Sequence, residues 1–286
     1  MDLQNIFGLS GKNVFITGAG SGMGKAAARL LVSLGAKVYA TTRRKPLDFT
    51  VEKEIKVADL GQPDELENLM KELPDELEAI FLCHGIANAP GNTNALQVNL
   101  TNFFSFKVLT EGLLPRITDG GSVTFISSDG GQHWRKNIAA CQEVIACKSW
   151  KEAVTWYEAH PEKTNGGYVF SKECQHVYVM SKVWAPEFID RKIRLNCISP
   201  GMTKTGLNDD FNRAVMADGC DPAVGQTILE KYFLSPWNGH WAAPEEMGYP
   251  MVVLGSRICS YISGQIVYID YGTASVNEFK NLTDNL

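Results

Sequence analysis

The sequence predicts a doubly wound α/β domain on a mostly parallel, seven-stranded sheet, and three observations carry that reading. An apolar run, Val14-Phe15-Ile16, passes through glycines at every second position from Gly18 to Gly24 into an alanine-rich helical pattern. Short apolar runs then alternate with longer helical patterns along the whole chain, as right-handed βαβ crossovers require. No repeat, linker or low-complexity stretch divides the 286 residues, so one domain spanning 1–286 is expected.

The elements follow in order. Lys25 to Leu31 reads as the first helix, and Gly35 is a good stop for it. Val38 to Thr41 is the second strand and Glu54 to Ala58 the third. Pro63-Asp64-Glu65 then opens a helix with proline and acids in its first turn. Ala79 to Cys83 is the fourth strand. A long helix over Leu96 to Leu114 ends at Pro115, and Ser122 to Ile126 is the fifth strand. Gly167 to Ile189 is helical, with Pro186 expected to kink it or end its regular part. Ile193 to Ile198, a helix over Pro244 to Leu254, and Gln265 to Ile269 complete the alternation. Two stretches do not fit it, about 129–165 and about 202–243.

Composition excludes several function classes. Apolar content of 44% with 21% charged residues is ordinary for a soluble globular protein. A net charge of −5 without a basic tail argues against a nucleic-acid partner. No run approaches the length of a membrane span. The amino terminus, MDLQNIFGLSGK, has neither a basic start nor a long apolar run, so no signal peptide is expected. Seven scattered cysteines without CxxC pairing suit a reducing cytoplasm, the expected location, and the five histidines lack metal-ligand spacing.

A glycine-rich turn from strand to helix offers bare N–H groups and a positive helix end to an anion, here the pyrophosphate of a dinucleotide. The turn does not satisfy GxGxxG. It reads Thr17-Gly18-Ala19-Gly20-Ser21-Gly22-Met23-Gly24, or TGxxxGxG, which resembles the signature of the short-chain dehydrogenase/reductase family. Further motifs follow in that family's order: Asp59-Leu60, Gly85, Asn99 in QVN, Ser128 in FISS, Tyr168-x-x-x-Lys172 and Pro200-Gly201. One departure is Cys83-His84-Gly85 where the family has Asn-Ala-Gly, which removes a side-chain amide that steadies the sheet. The resemblance covers nearly the whole chain and implies a Rossmann-type fold. It also implies cofactor contacts from Gly18, Ser21, Gly22, Met23, Gly24, Asp59, Leu60, Gly85, Tyr168, Lys172, Pro200, Gly201, Thr203 and Thr205.

Cofactor choice is read after the second strand. An acid there would bind the ribose 2′-hydroxyl of NAD. The sequence instead reads Thr41-Thr42-Arg43-Arg44-Lys45, with no acid before Asp48. Thr42, Arg43 and Arg44 are therefore expected at the cofactor, Arg43 first, and NADP(H) is favoured over NAD(H) because an arginine grips a 2′-phosphate.

Tyr168 and Lys172 project from one helix face. Tyrosine and lysine titrate ordinarily near about 10 and about 10.4, and a nearby ammonium favours the tyrosinate. The resemblance implies Tyr168 as proton donor or acceptor and Ser128 as the group holding the substrate oxygen. For Asn99 it implies a water relay to Lys172.

Ser128 and Tyr168 stand 40 positions apart, far more than is usual in the family. The extra segment carries Ile138, Val144, Ile145, Trp150, Val154 and Trp156 and predicts one or two amphipathic helices. Such an insertion resembles the bacterial 3α-hydroxysteroid dehydrogenase/carbonyl reductase branch. It implies a block to the four-helix dimer of many relatives, leaving another homo-oligomer surface or a monomer. His133, in GGQHWR, is a candidate contact for a polar substrate group. Leu207, Phe211, Tyr232, Phe233, Trp237 and Trp241 would form an apolar lid. The resemblance implies an oxidoreductase interconverting a secondary alcohol and a ketone on a hydrophobic alicyclic small-molecule substrate, a hydroxysteroid or bile acid with the 3-position favoured. The alternatives are a broad carbonyl reductase for small ketones, aldehydes or quinones and a non-catalytic dinucleotide-binding regulatory protein.

Overall fold

The computed structural model describes residues 3–88, 91, 93–164, 166–216, 219–235 and 239–283. A short helix, α1 (Leu3–Phe7), precedes β1 (Asn13–Ile16) and α2 (Gly22–Ser33). β2 (Lys37–Thr42), β3 (Lys53–Lys56), α3 (Pro63–Lys71) and β4 (Leu77–Leu82) follow. α4 (Ala95–Asn99) and α5 (Ser105–Leu113) are joined by a π turn over Leu100–Phe104, and β5 spans Ile117–Ile126. α6 (Trp134–Ala146) and α7 (Trp150–Ala159) precede α8 (Tyr168–Lys182), α9 (Pro186–Ile189) and β6 (Arg194–Pro200). The chain closes through α10 (Asn208–Arg213), α11 (Pro222–Leu229), α12 (Pro244–Gly255), β7 (Ile266–Ile269) and α13 (Thr273–Thr283).

The seven strands form one sheet in the order β3-β2-β1-β4-β5-β6-β7, and every neighbouring pair is parallel. The chain runs from β1 outward to β3 and then returns to pair β4 with β1. That reversal opens a crevice at the carboxyl ends of β1 and β4, where such sheets bind ligands.

Both faces of the central strands are covered, so these strands are largely apolar while their side chains alternate, whereas the edge strand β3 exposes Lys53, Glu54 and Lys56. Phe15, Ile80, Leu82, Val123, Phe125, Leu195 and Cys197 join one core. Val14, Ile16, Ala79, Phe81, Ile126 and Ile198 join the other, with α2 and α12. The alanines of the first helix explain themselves here: Ala26, Ala27 and Ala28 are buried where α2 meets α12.

Two sequence expectations are refined. The long helix over Leu96 to Leu114 is not regular. Its π turn coincides with Ser105 Oγ donating to Thr101 O (2.7 Å) and with Asn102 turning its amide onto the backbone of Ile86. The insertion forms two helices. α6 packs on α8, while α7 packs on α4 and the π turn. Cys141, Val144, Ala153 and Tyr157 are buried in the same core as Phe103, Phe104 and Tyr178, although Ile138 faces solvent. Pro186 acts as expected: α8 ends before it, and it opens α9 at the first position.

Candidate active site

The glycine turn lies at the mouth of the crevice. Gly18 N donates to Thr41 Oγ1 (3.1 Å) and Ala19 N to Thr41 O (3.1 Å), tying the turn to β2. Gly18 and Gly22 have φ of +70° and +54°, and a Cβ on Gly24 would lie 2.4 Å from Gly18 O. Only glycine permits so tight a return into the helix. Ser21 is the N-cap of α2 but makes no capping hydrogen bond, so no side chain of its own competes for the first-turn N–H groups. Twelve residues of helix stand behind them. This fits an anion such as a pyrophosphate.

At the end of β2, Thr42 is buried, whereas Arg43 and Arg44 are exposed. Burial and Arg44 lower Arg43, and Asp59 and Asp210 lie near enough to oppose that shift. Asp59 Oδ1 accepts from Gly61 N at 2.8 Å, and Leu60 is buried beside it. A carboxylate that sequence spacing did not point to also stands here. Glu54 Oε1 accepts from Thr42 Oγ1 at 2.7 Å, because β2 and β3 pair in register at this point.

His84 takes over the steadying role expected to be lost with the family's asparagine. Its Nδ1 lies 2.8 Å from Thr17 Oγ1 and its Nε2 2.8 Å from Ser105 Oγ, bridging β1 to α5. Burial lowers the ring to about 3, so it bridges in its neutral form. Gly85 packs beside Asn102, whose Oδ1 accepts from Ile86 N (2.8 Å) and whose Nδ2 donates to Ile86 O (2.9 Å).

Ser128 and Tyr168 come together although 40 positions separate them, because β5 ends and α8 begins at the crevice. A Cβ on Gly130 would lie 3.6 Å from Ser128 Oγ and 3.7 Å from Tyr168 Cε1, so both side chains flank the same glycine. Ser128 Oγ donates to Asp129 Oδ1 (2.8 Å) and accepts from Gly130 N (3.2 Å). Lys172 Nζ lies 5.5 Å from the centre of the Tyr168 ring. It donates to Ile126 O (3.2 Å) and Gln175 Oε1 (3.4 Å), while Gln175 Nε2 donates to Asn102 O (2.6 Å). Asn99 is fully buried at the end of α4, with Nδ2 donating to Ala95 O (3.0 Å) and Oδ1 without a protein partner among the described residues.

The electrostatics differ from the simple expectation. Burial lowers Lys172 to about 7 and pushes Tyr168 above its ordinary value, with the Ser128 hydrogen bond opposing. Desolvation outweighs any lysine effect on the tyrosine here.

After β6, Pro200 is buried and Gly201 packs on Asp270. Thr203 pairs with Ala242, closing the base of the lid, and Thr205 lies against Gly22. Phe211 covers Tyr168 edge-on, ring centres 4.9 Å apart. A cavity of about 520 Å³ adjoins this corner, lined by Asp129, Met202, Phe233, Leu234, Met247 and Ile269 among others. The histidine on its wall is His240. His133 is exposed at the start of α6, off that wall. Tyr232 is largely exposed, Trp241 donates to Glu230 Oε1 (2.9 Å), and Trp237 lies outside the described residues. Sequence spacing does not point to Gln175, Asn102 or Glu54, because the contacts of Gln175 with Asn102, of Asn102 with Ile86 and of Glu54 with Thr42 all join different segments.

Comparison with known proteins agrees with this geometry. Residues 12–140 match the family model described as short chain dehydrogenase, and residues 157–274 match one described as Enoyl-(Acyl carrier protein) reductase. Coniferyl-alcohol dehydrogenase of a Pseudomonas strain is 32% identical over 204 residues, covering 71% of this chain and 77% of the relative. The 3-oxoacyl-[acyl-carrier-protein] reductase of Thermotoga maritima is 25% identical, covering 92% and 98%. The 3-alpha-hydroxysteroid dehydrogenase of Pseudomonas sp. B-0831, solved with NADH, shares the fold at a TM-score of 0.74 and 22% identity, covering 94% and 99%. With a glycine turn, a serine–tyrosine pair and a buried lysine assembled at one crevice, the chain belongs to the short-chain dehydrogenase/reductase family.

Proposed function

We propose that this oxidoreductase interconverts a secondary alcohol and a ketone on a neutral, hydrophobic alicyclic substrate, a hydroxysteroid, using NADP(H). The observation that carries the reading is a largely apolar cavity that Asp129, the neighbour of Ser128, helps to line. Its volume suits a fused-ring skeleton. Its wall carries Asp129, Glu245, Glu246 and Asp270 against a single histidine, which disfavours the carboxylate of a bile acid.

The bound nicotinamide supplies or accepts the hydride. Ser128 Oγ holds the substrate oxygen, giving up its bond to Asp129, and fixes it within reach of Tyr168. In the reductive direction Tyr168 gives its hydroxyl proton to that oxygen; in oxidation it takes one back. Lys172, held near a pKa of about 7 by burial before ligands bind, and Asn99, whose buried Oδ1 has no protein donor among the described residues, serve the proton's route to solvent. The glycine turn with Ser21 and Met23 would hold the pyrophosphate, and Asp59, Leu60 and Gly85 the adenine side. Pro200, Gly201, Thr203 and Thr205 would hold the nicotinamide side. Arg43, seconded by Arg44 and backed by Thr42, selects the 2′-phosphate.

A second reading is an aromatic allylic alcohol as substrate, favoured by the 32% identity to a coniferyl-alcohol dehydrogenase. Both readings are tested by initial rates of NADPH and NADH loss with ketosteroids, their carboxylated analogues, aromatic aldehydes and simple ketones. Turnover of neutral ketosteroids supports the first. Turnover confined to aromatic aldehydes selects the second. The insertion helices cover α4 and α8 within one chain, which favours a monomer or an association through another surface.

A further inference from the structure

Tyr168, Lys172 and His176 follow one another at intervals of four along α8. The first two belong to the chemistry proposed above, whereas the third does not. His176 is completely buried. Its Nδ1 lies 3.0 Å from Gly131 O. A carbonyl only accepts, so Nδ1 carries the hydrogen. Nε2 is buried with no protein partner among the described residues. Tyr268 of β7 stands perpendicular to the ring, centres 6.0 Å apart, and limits its swing.

Gly131 ends the turn that presents Ser128. Its N–H donates to Ser128 O at 3.0 Å, while Ser128 Oγ accepts from Gly130 N at 3.2 Å. A Cβ on Gly131 would fall 2.5 Å from His176 Cε1 and 2.7 Å from Nδ1. Turn and imidazole are therefore fitted to each other with no spare room. Among the described residues, His176 gives the side-chain hydrogen bond that joins the helix carrying Tyr168 to the backbone of the turn carrying Ser128.

We propose that His176 is a positioning residue. By holding Gly131 O it sets the height of Ser128 Oγ against the Tyr168 hydroxyl. The inference rests on the reaction proposed above for that pair. His176 acts through the turn and not on the substrate. A displacement of about 1 Å at such a site costs on the order of a hundredfold in rate.

The test compares His176→Ala, His176→Asn, Gly131→Ala and the double variant Gly131→Ala/His176→Asn in the full chain. An asparagine amide can replace Nδ1 as donor while leaving room for a methyl group at 131. His176→Ala is expected to lower kcat at least tenfold, with the KM for NADPH changed less than twofold. Amide hydrogen exchange at Gly130 to Gln132 should accelerate in step. His176→Asn should recover both measures, and Gly131→Ala should damage the parent more than the His176→Asn background. An asparagine variant no better than alanine, or an alanine variant that melts earlier with kcat and exchange unchanged, overturns the proposal. If the alanine variant does not fold, the cycle between Gly131→Ala and His176→Asn decides alone: additive effects overturn it. Histidine nitrogen NMR of the parent should show the Nδ1–H tautomer; the Nε2–H tautomer also overturns it. If the parent turns over no substrate of the panel, the proposed reaction has failed. Exchange and NMR still judge the link between His176 and the turn.

Discussion

Thr42 on β2 donates its hydroxyl hydrogen to Glu54 on β3 at 2.7 Å, and the second Glu54 oxygen accepts from Leu47 N at 3.1 Å. A carboxylate is thus held on the residue that precedes Arg43 and Arg44. Under the proposed preference for NADP(H), the arginines would attract a 2′-phosphate and Glu54 would repel it.

Arg43→Ala is expected to raise the KM for NADPH ten- to a hundredfold, the range of a lost hydrogen bond to a charged group at about 1.5–3 kcal/mol. The KM for NADH should hardly move. Glu54→Gln should shift preference further toward NADPH. Initial rates with both cofactors check this, and an unchanged NADPH constant in Arg43→Ala would remove the arginine from the proposed site.

Tyr168→Phe is expected to lower kcat by about 10² to 10⁴, the usual span for losing a general acid–base. Circular dichroism should be unchanged. Burial raises the Tyr168 hydroxyl, so difference spectra of parent and variant in the ligand-free protein should show no Tyr168 ionisation near pH 10. Ionisation at the ordinary value would contradict the burial seen here.

Lys172 links stability to pH. Burial lowers it to about 7 from 10.5, so between these values the unfolded chain binds a proton that the folded chain does not. Stability from this group therefore rises with pH between about 7 and 10.5, and that gain is lost on acidification from 10.5 down to about 7, below which both states carry the proton. The slope is at most about 1.4 kcal/mol per pH unit. Lys172→Met should remove this rise, measured by urea unfolding between pH 7 and 9. A parallel slope in both proteins would refute the shift.

His84→Ala breaks the bridge from Thr17 to Ser105, leaving the Thr17 hydroxyl only its bond from the backbone N–H of Cys83 or residue 84 and the Ser105 hydroxyl only its bond to Thr101 O among the described residues. The expected loss is about 1–3 kcal/mol in urea unfolding. The ring is neutral throughout the usual range, so the loss should be the same at pH 6 and pH 8. A loss confined to one pH would mean that the bridge depends on charge.

Much of this architecture was legible in the chain because it is encoded locally. Alternation of apolar runs and helical patterns reports backbone period, and the fold it implied is the one found. The TGxxxGxG turn is a local steric statement, since Gly24 has no room for a Cβ against Gly18 O. Tyr168 and Lys172 share a helix face by spacing alone. By contrast, the π turn after Asn99 interrupts a segment whose pattern reads as continuous helix, and its side-chain bonds reach Ile86 on another segment.

Pattern and spacing thus determined the fold class, the glycine turn and the shared helix face of Tyr168 and Lys172, because each depends on neighbours within a few residues. Tertiary structure alone decided which distant groups temper them. It set Glu54 beside Thr42, made His84 a bridge, joined Gln175 and Asn102 to Lys172, and seated His176 under the Ser128 turn. It also reversed the simplest electrostatic expectation. Spacing brings an ammonium near a phenol, but burial raises Tyr168 and lowers Lys172 toward neutral pH. Desolvation is a property of the packed interior, and no run of residues displays it before the chain has folded.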